Sequence, residues 1–167
     1  MPRTVDDLLR EARATLDRVT PQQASTELSE GALLIDVRTE TQRTTHGEIP
    51  GAVAIGLNVL EWRLDPASEW RLPQATDHDI RVIVCCQQGY SSSLAAARLQ
   101  SLGLHRATDV IGGFEAWTAA DSRSPRSTRR GLSDRRGRLR RSASSNDHHR
   151  RPDRPGRNPL PPLSWCR

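Results

Sequence analysis

The sequence predicts an α/β protein, a parallel sheet flanked by helices, followed by an arginine-rich tail. Three observations predict it. A continuous apolar run at 32–37 reads as a strand buried on both faces, and further strand-like runs follow at 52–55, 81–86 and 107–111. Segments of helical spacing alternate with those runs, and strands alternating with helices build a parallel sheet. Finally, the composition breaks near residue 121. Residues 121–167 hold 14 Arg against 4 Asp, a net +10, with 6 of the 11 prolines, which leaves 11 Arg against 16 acidic residues, or −5, in 1–120.

Val5, Leu8, Leu9, Ala12, Leu16 and Val19 stand at helical spacing and Thr4 with Asp7 has the capping-box pattern, so 5–19 reads as an amphipathic helix. Thr20-Pro21 starts a second, because proline is tolerated at the first helical position. "ALLIDV" after Gly31 is the first strand, and "AVAI" after the turn signal Pro50-Gly51 the second. "RVIVCC" is the third strand, "ATDVI" the fourth, and the helix between them spans 92–102 and is closed by Gly103. Gly112-Gly113 then opens a short helix that carries Trp117, read as core. The organisation is an N-terminal helix in 1–19, a domain in 20–120, and a basic Arg/Ser/Pro-rich tail in 121–167, expected to be disordered because it has too few apolar residues to offset chain entropy.

Chemistry is expected at the end of the third strand, because ligands of parallel sheets collect at the carboxyl ends of strands. Cys86 begins a polar turn there, Gly89 permits a positive φ, and Ser91 and Ser92 suit the N-cap of the next helix. If the N–H groups of 87–92 curl inward, they form an anion nest around the Cys86 sulfur. A thiol so placed ionises at about pH 3.5–7.5. Cys85, one position earlier, points to the opposite sheet face and reads as a small buried hydrophobe.

No His lies in this loop, although acyl transfer from an amide needs one. The sixth residue after Cys86 is Ser92 and the next Arg is Arg98, so the Cys-x5-Arg pattern of tyrosine phosphatases is absent. Attack on a sulfur atom whose leaving group is already a stable anion needs neither acid nor base, and sulfur transfer is the chemistry such a sparse site permits.

Three motifs then resemble the rhodanese family of sulfurtransferases: "LLIDVR" with "GEIPGAVAI" at 33–55, "CQQGYSSSLAAARL" at 86–99 and "VIGGFEAW" at 110–117. The Cys-x-x-Gly-x-Ser-Ser form is similar to single-domain bacterial thiosulfate sulfurtransferases. The resemblance implies a five-stranded parallel sheet flanked by helices and a rhodanese-like domain over 20–120. It also implies a Cys86 nucleophile that takes sulfur from a donor such as thiosulfate and holds it as a persulfide. Gln87, Gln88, Gly89, Tyr90, Ser91 and Ser92 would bind the donor or cradle the persulfide. The donor would be a small sulfur-containing anion and the acceptor a thiol, cyanide or a protein, with neither cofactor nor metal. Asp36 and Arg38 match positions that stabilise the fold.

The chain departs from the family pattern at Glu48, in place of His, and in a spacing one residue longer between Asp36 and Gly47. Gln87, Gln88 and Tyr90 stand where many relatives carry a basic residue that favours a dianionic donor. Arg63 reads as an exposed helical arginine beside Glu61 and Asp65, with supply of that cation from another loop as the alternative. The alternative function is a rhodanese-homology module without turnover, used for redox sensing or protein interaction.

The tail has two readings. One is a basic arm that binds nucleic acid or an acidic partner by counterion release, although aromatic residues other than Trp165 are absent from it. The other is a segment without selected function, the composition expected of out-of-frame reading of a GC-rich gene. Cys166 in the tail is not expected to serve as a resolving thiol. No signal-peptide pattern or membrane-length apolar run is present, and three cysteines make no disulfide framework, so a cytoplasmic protein is expected.

Overall fold

Four parallel strands form one sheet, in the spatial order Val53–Ala54, Leu33–Asp36, Val82–Cys85, Thr108–Asp109. The computed structural model describes residues 2–121; the expectations for the tail beyond Asp121, including Cys166, lie outside the described residues. The elements are α1 (Val5–Thr15), α2 (Pro21–Ser29), β1 (Leu33–Asp36), α3 (Glu40–His46), β2 (Val53–Ala54), α4 (Leu60–Leu64), β3 (Val82–Cys85), α5 (Ser91–Ser101), β4 (Thr108–Asp109) and α6 (Gly113–Asp121).

β1 pairs with β3 from Leu33 opposite Val82 to Asp36 opposite Cys85, while β2 adds Ile35 to Val53 and β4 adds Ile83 to Thr108. The expected fifth strand is reduced to one parallel bridge, Val19 to Val110. Val19 accepts from the Ile111 N–H and donates to the Asp109 carbonyl. Pairing stops there because Thr20 is the N-cap of α2 and Pro21 lacks an N–H. The same use of Val19 shortens α1. Leu16 already has extended backbone, so the helix ends four residues earlier than its apolar spacing predicts.

Side-chain alternation along the strands divides the core in two. Ile35, Val82, Val84 and Cys86 face Leu60, Leu64, Ala95, Leu99 and Leu104 on one side. Leu34, Ile83 and Cys85 face Val19, Ala24, Ile49, Val110 and Phe114 on the other, with half-buried Trp117 packed against that cluster. Full burial of each Leu or Ile contributes about 1.5–3 kcal/mol. Capping boxes start α1 (Thr4, Asp7), α2 (Thr20, Gln23) and α3 (Thr39, Gln42). Asp36 and Arg38 are buried together at the end of β1; Arg38 Nη2 donates to Asp36 Oδ2 at 2.7 Å and to the Gly47 carbonyl at 2.9 Å, and its guanidinium lies 3.5 Å from the Phe114 ring centroid. Among the described residues, no helix is long and apolar enough to cross a membrane.

Candidate active site

β3 delivers two adjacent cysteines to opposite faces of the sheet. Cys85 is fully buried; burial above all, with the nearby Asp36 charge, pushes its thiol far up, so it stays protonated and inert. Cys86 lies at the base of a cleft of about 260 Å³ lined also by Val37, Thr39, Gln42, Leu57 and Tyr90.

The loop after Cys86 is shaped by where its carbonyls go. The Cys86 carbonyl accepts from the Phe114 N–H at 2.8 Å and the Gln87 carbonyl from the Glu115 N–H at 3.1 Å, so the first turn of α6 holds both outward. The Gly89 carbonyl accepts from Arg13 Nη2 at 2.8 Å and Arg18 Nη2 at 3.3 Å, and Ser93 Oγ, whose hydrogen lies on Asp109, stands 3.1 Å away. With the carbonyls engaged away from the cleft, N–H groups turn in: Gly89 N–H and Ser92 N–H donate to Cys86 Sγ at 3.1 and 3.4 Å. Two glycines permit this. Gly89 has φ +78°, and Gly113 presses on the loop so closely that a Cβ there would stand 2.4 Å from the Cys86 carbonyl oxygen.

Ser91 and Ser92 are not the cap of α5. The loop curls tightly enough to bring both into the first helical turn; the cap position is Tyr90, whose side chain makes no capping bond. The Cys86 sulfur takes the Ser92 N–H that a capping oxygen would otherwise accept. Burial pushes the Cys86 thiol up, but the hydroxyls of Ser91 and Ser92 and the N–H groups of Ser92 and Gln88 outweigh it, leaving the thiol below its ordinary value.

Cys86, Gln87, Gln88, Tyr90 and Ser91 line the cleft, whereas Gly89 and Ser92 act from beneath, on the sulfur itself. Arg63 does not join them: it lies on α4, its Nη1 donates to the Trp70 carbonyl at 2.8 Å in the segment after that helix, and it is absent from the cleft wall. The one arginine in that wall, Arg38, is paired with Asp36, and Glu115 stands at the rim within 3.4–3.5 Å of the Gln87 and Gln88 side-chain amides. Among the described residues, no His lines the cleft. Among the described residues, no cluster of His, Cys, Asp or Glu could hold a metal.

Sequence reasoning missed two groups. Thr39, Gln42 and Leu57 form the opposite wall, and the Thr39-x-x-Gln42 capping box was a readable sign of α3. Behind the sulfur, Ser93, Asp109, Arg13 and Arg18 form a polar layer that joins parts of the chain up to 91 residues apart, with no local signal to announce it.

Residues 20–120 match the rhodanese-like domain family. The thiosulfate sulfurtransferase GlpE of Haemophilus influenzae is 31% identical over 103 residues, 62% of this chain and 89% of that protein. The human single-domain sulfurtransferase TSTD1 superposes with a TM-score of 0.52 at 28% identity, over 61% of this chain and 95% of that one. A Rhodopseudomonas palustris protein of unknown function, described as a possible tyrosine phosphatase, superposes with a TM-score of 0.65 at 28% identity, over 72% of this chain and 93% of that one. With its family motifs at the end of β1, in the Cys86 loop and at the start of α6, the chain belongs to the rhodanese-like domain family.

Proposed function

We propose that this protein is a sulfurtransferase whose nucleophile is Cys86. The observation that carries the reading is a sulfur that accepts two backbone N–H groups, with its thiol held below the ordinary value, in a cleft whose wall, among the described residues, holds neither a His nor an unpaired cation. The relatives named as sulfurtransferases support it.

In the first step the Cys86 thiolate attacks the outer sulfur of thiosulfate. The new S–S bond forms as the old one breaks, and its electron pair leaves with sulfite. The product is a Cys86 persulfide anion in the nest that held the thiolate. In the second step cyanide, a thiolate or a cysteine of a partner protein attacks the outer sulfur, and the Cys86 thiolate returns. Charge balances in both steps, so no proton donor is needed. Gln87, Gln88, Tyr90 and Ser91 would contact the donor, while Gly89 and Ser92 would hold the persulfide. A cysteine that must stay reduced between turnovers suits a reducing compartment such as the cytoplasm.

Intact mass after incubation with thiosulfate and removal of excess donor tests this reading. A gain of about 32 Da, one sulfur atom, in the wild type and in Cys85→Ser but not in Cys86→Ser is expected. Thiocyanate should then form when cyanide is added. A persulfide that cyanide does not discharge would favour a carrier or sensing module. Release of p-nitrophenol from its phosphate ester without sulfur uptake would favour a phosphatase, which the lack of an unpaired Arg in the loop argues against.

A further inference from the structure

Behind Cys86 lies a chain of polar groups that the sulfur-transfer steps leave unused. The Cys86 thiol donates to Ser92 Oγ at 3.2 Å, and Ser92 Oγ donates to Asp109 Oδ2 at 3.0 Å. Asp109 has a fully buried side chain and also accepts from Ser93 Oγ at 2.8 Å, from Arg18 Nη2 at 3.0 Å and, on its other oxygen, from Arg18 Nε at 2.7 Å. Arg13 Nε donates to Ser93 Oγ at 3.2 Å. Arg13 and Arg18 both precede residue 20, where the family match begins.

Ser92 has one hydroxyl hydrogen and two claimants for it. While Cys86 is a thiol, that hydrogen lies on Asp109 and the Ser92 oxygen accepts from sulfur. Once the thiol proton has left to water, sulfur can only accept, and the bond that stabilises it needs the Ser92 hydrogen turned round. Asp109 can release that hydrogen because the Arg18 fork and Ser93 still satisfy its two oxygens. We propose that Arg18 and Asp109 are a positioning pair that makes the Ser92 hydroxyl a two-position switch, pointing to Asp109 beside the thiol and to sulfur beside the thiolate or persulfide. The N-terminal segment thereby completes the anion nest from outside the matched domain. The proposal rests on Cys86 being the reactive thiol.

The other charged groups around Cys86 are engaged elsewhere. Asp36 and Arg38 on β1 pair with each other, Glu115 on α6 takes the Gln87 and Gln88 amides, and Arg13 lies 5.4 Å from the Tyr90 ring centroid while holding the Gly89 carbonyl. Arg18 and Asp109 are therefore the pair whose alteration should act on the sulfur through Ser92.

The test is the pH profile of iodoacetamide alkylation at Cys86 in the full chain, followed by peptide mass, with thermal unfolding recorded beside it. Arg18→Gln leaves Asp109 holding the Ser92 hydrogen. Its midpoint should rise and alkylation at neutral pH should slow by at least about threefold, with Arg18→Lys in between. Asp109→Asn frees the hydrogen for sulfur, and its midpoint should fall. In a Ser92→Ala background both shifts should lose more than half their size. The proposal is overturned if Arg18→Gln and Asp109→Asn move the midpoint the same way, if neither moves it, or if the shifts persist without the Ser92 hydroxyl. Should Asp109→Asn not fold, the Arg18→Gln and Ser92→Ala cycle alone decides. Alkylation uses no sulfur donor, so failure of the sulfurtransferase reading would show as absent sulfur uptake with these profiles intact.

Discussion

At Cys86 a sulfur atom does what a capping oxygen does elsewhere, accepting the Ser92 N–H of the first turn of α5 while the Gly89 N–H reaches it from the other side. One residue earlier the same side chain is inert, because strand alternation sends Cys85 into an apolar cluster. Asp36 and Arg38 are the reverse case, charges whose value lies in being matched. Asp36→Ala would leave the buried Arg38 guanidinium without its carboxylate and should destabilise the fold by about 3–5 kcal/mol. Urea unfolding measures it, and a loss under about 1 kcal/mol would contradict the structural role given to the pair.

Elements meet at the loop. α6 begins against it, with Gly113 so near the Cys86 carbonyl that an added methyl has no room, and the Phe114 N–H fixes that carbonyl's direction. Gly113→Ala also forces a residue with a side chain to φ +59°. It should cost about 1–3 kcal/mol and abolish sulfur uptake, since a displaced Cys86 carbonyl turns the following N–H groups away from sulfur. Normal uptake in this variant would refute the account of the nest. The strands were legible because continuous apolar runs in this chain are strands, and the Cys86 loop was legible because Gly and Ser follow a cysteine at a strand end. α3 was overlooked although Thr39 and Gln42 spell its capping box. Asp109 was read as part of an apolar run, and only the arrival of Arg18, 91 residues away, explains a charge there. Local pattern carries spacing and turns; pairing between distant polar residues is decided by the folded chain.

At the scale of the folded domain, Cys85 and Cys86 give stability opposite dependences on pH. The Cys86 thiol is lowered in the folded protein from an ordinary value of 9.0. Between the folded and ordinary values the unfolded chain holds a proton that the native state has released, so this contribution grows as pH rises, is fully present above 9.0 and is lost as pH falls through the folded value. The Cys85 thiol is raised, chiefly by burial. Above its ordinary value of 9.0 the unfolded chain ionises while the native state cannot, so this contribution is intact below 9.0 and declines as pH climbs further. The wild type should gain stability over Cys86→Ser as pH is raised from about 6 to about 9. Cys85→Ser should gain over the wild type from about 9 upward. Denaturant midpoints of the three proteins across that range measure both differences. A Cys86→Ser difference that shrinks with rising pH would mean that the native state binds the thiol rather than the thiolate. The nest of N–H groups would then have no hold on the charge for which it is arranged.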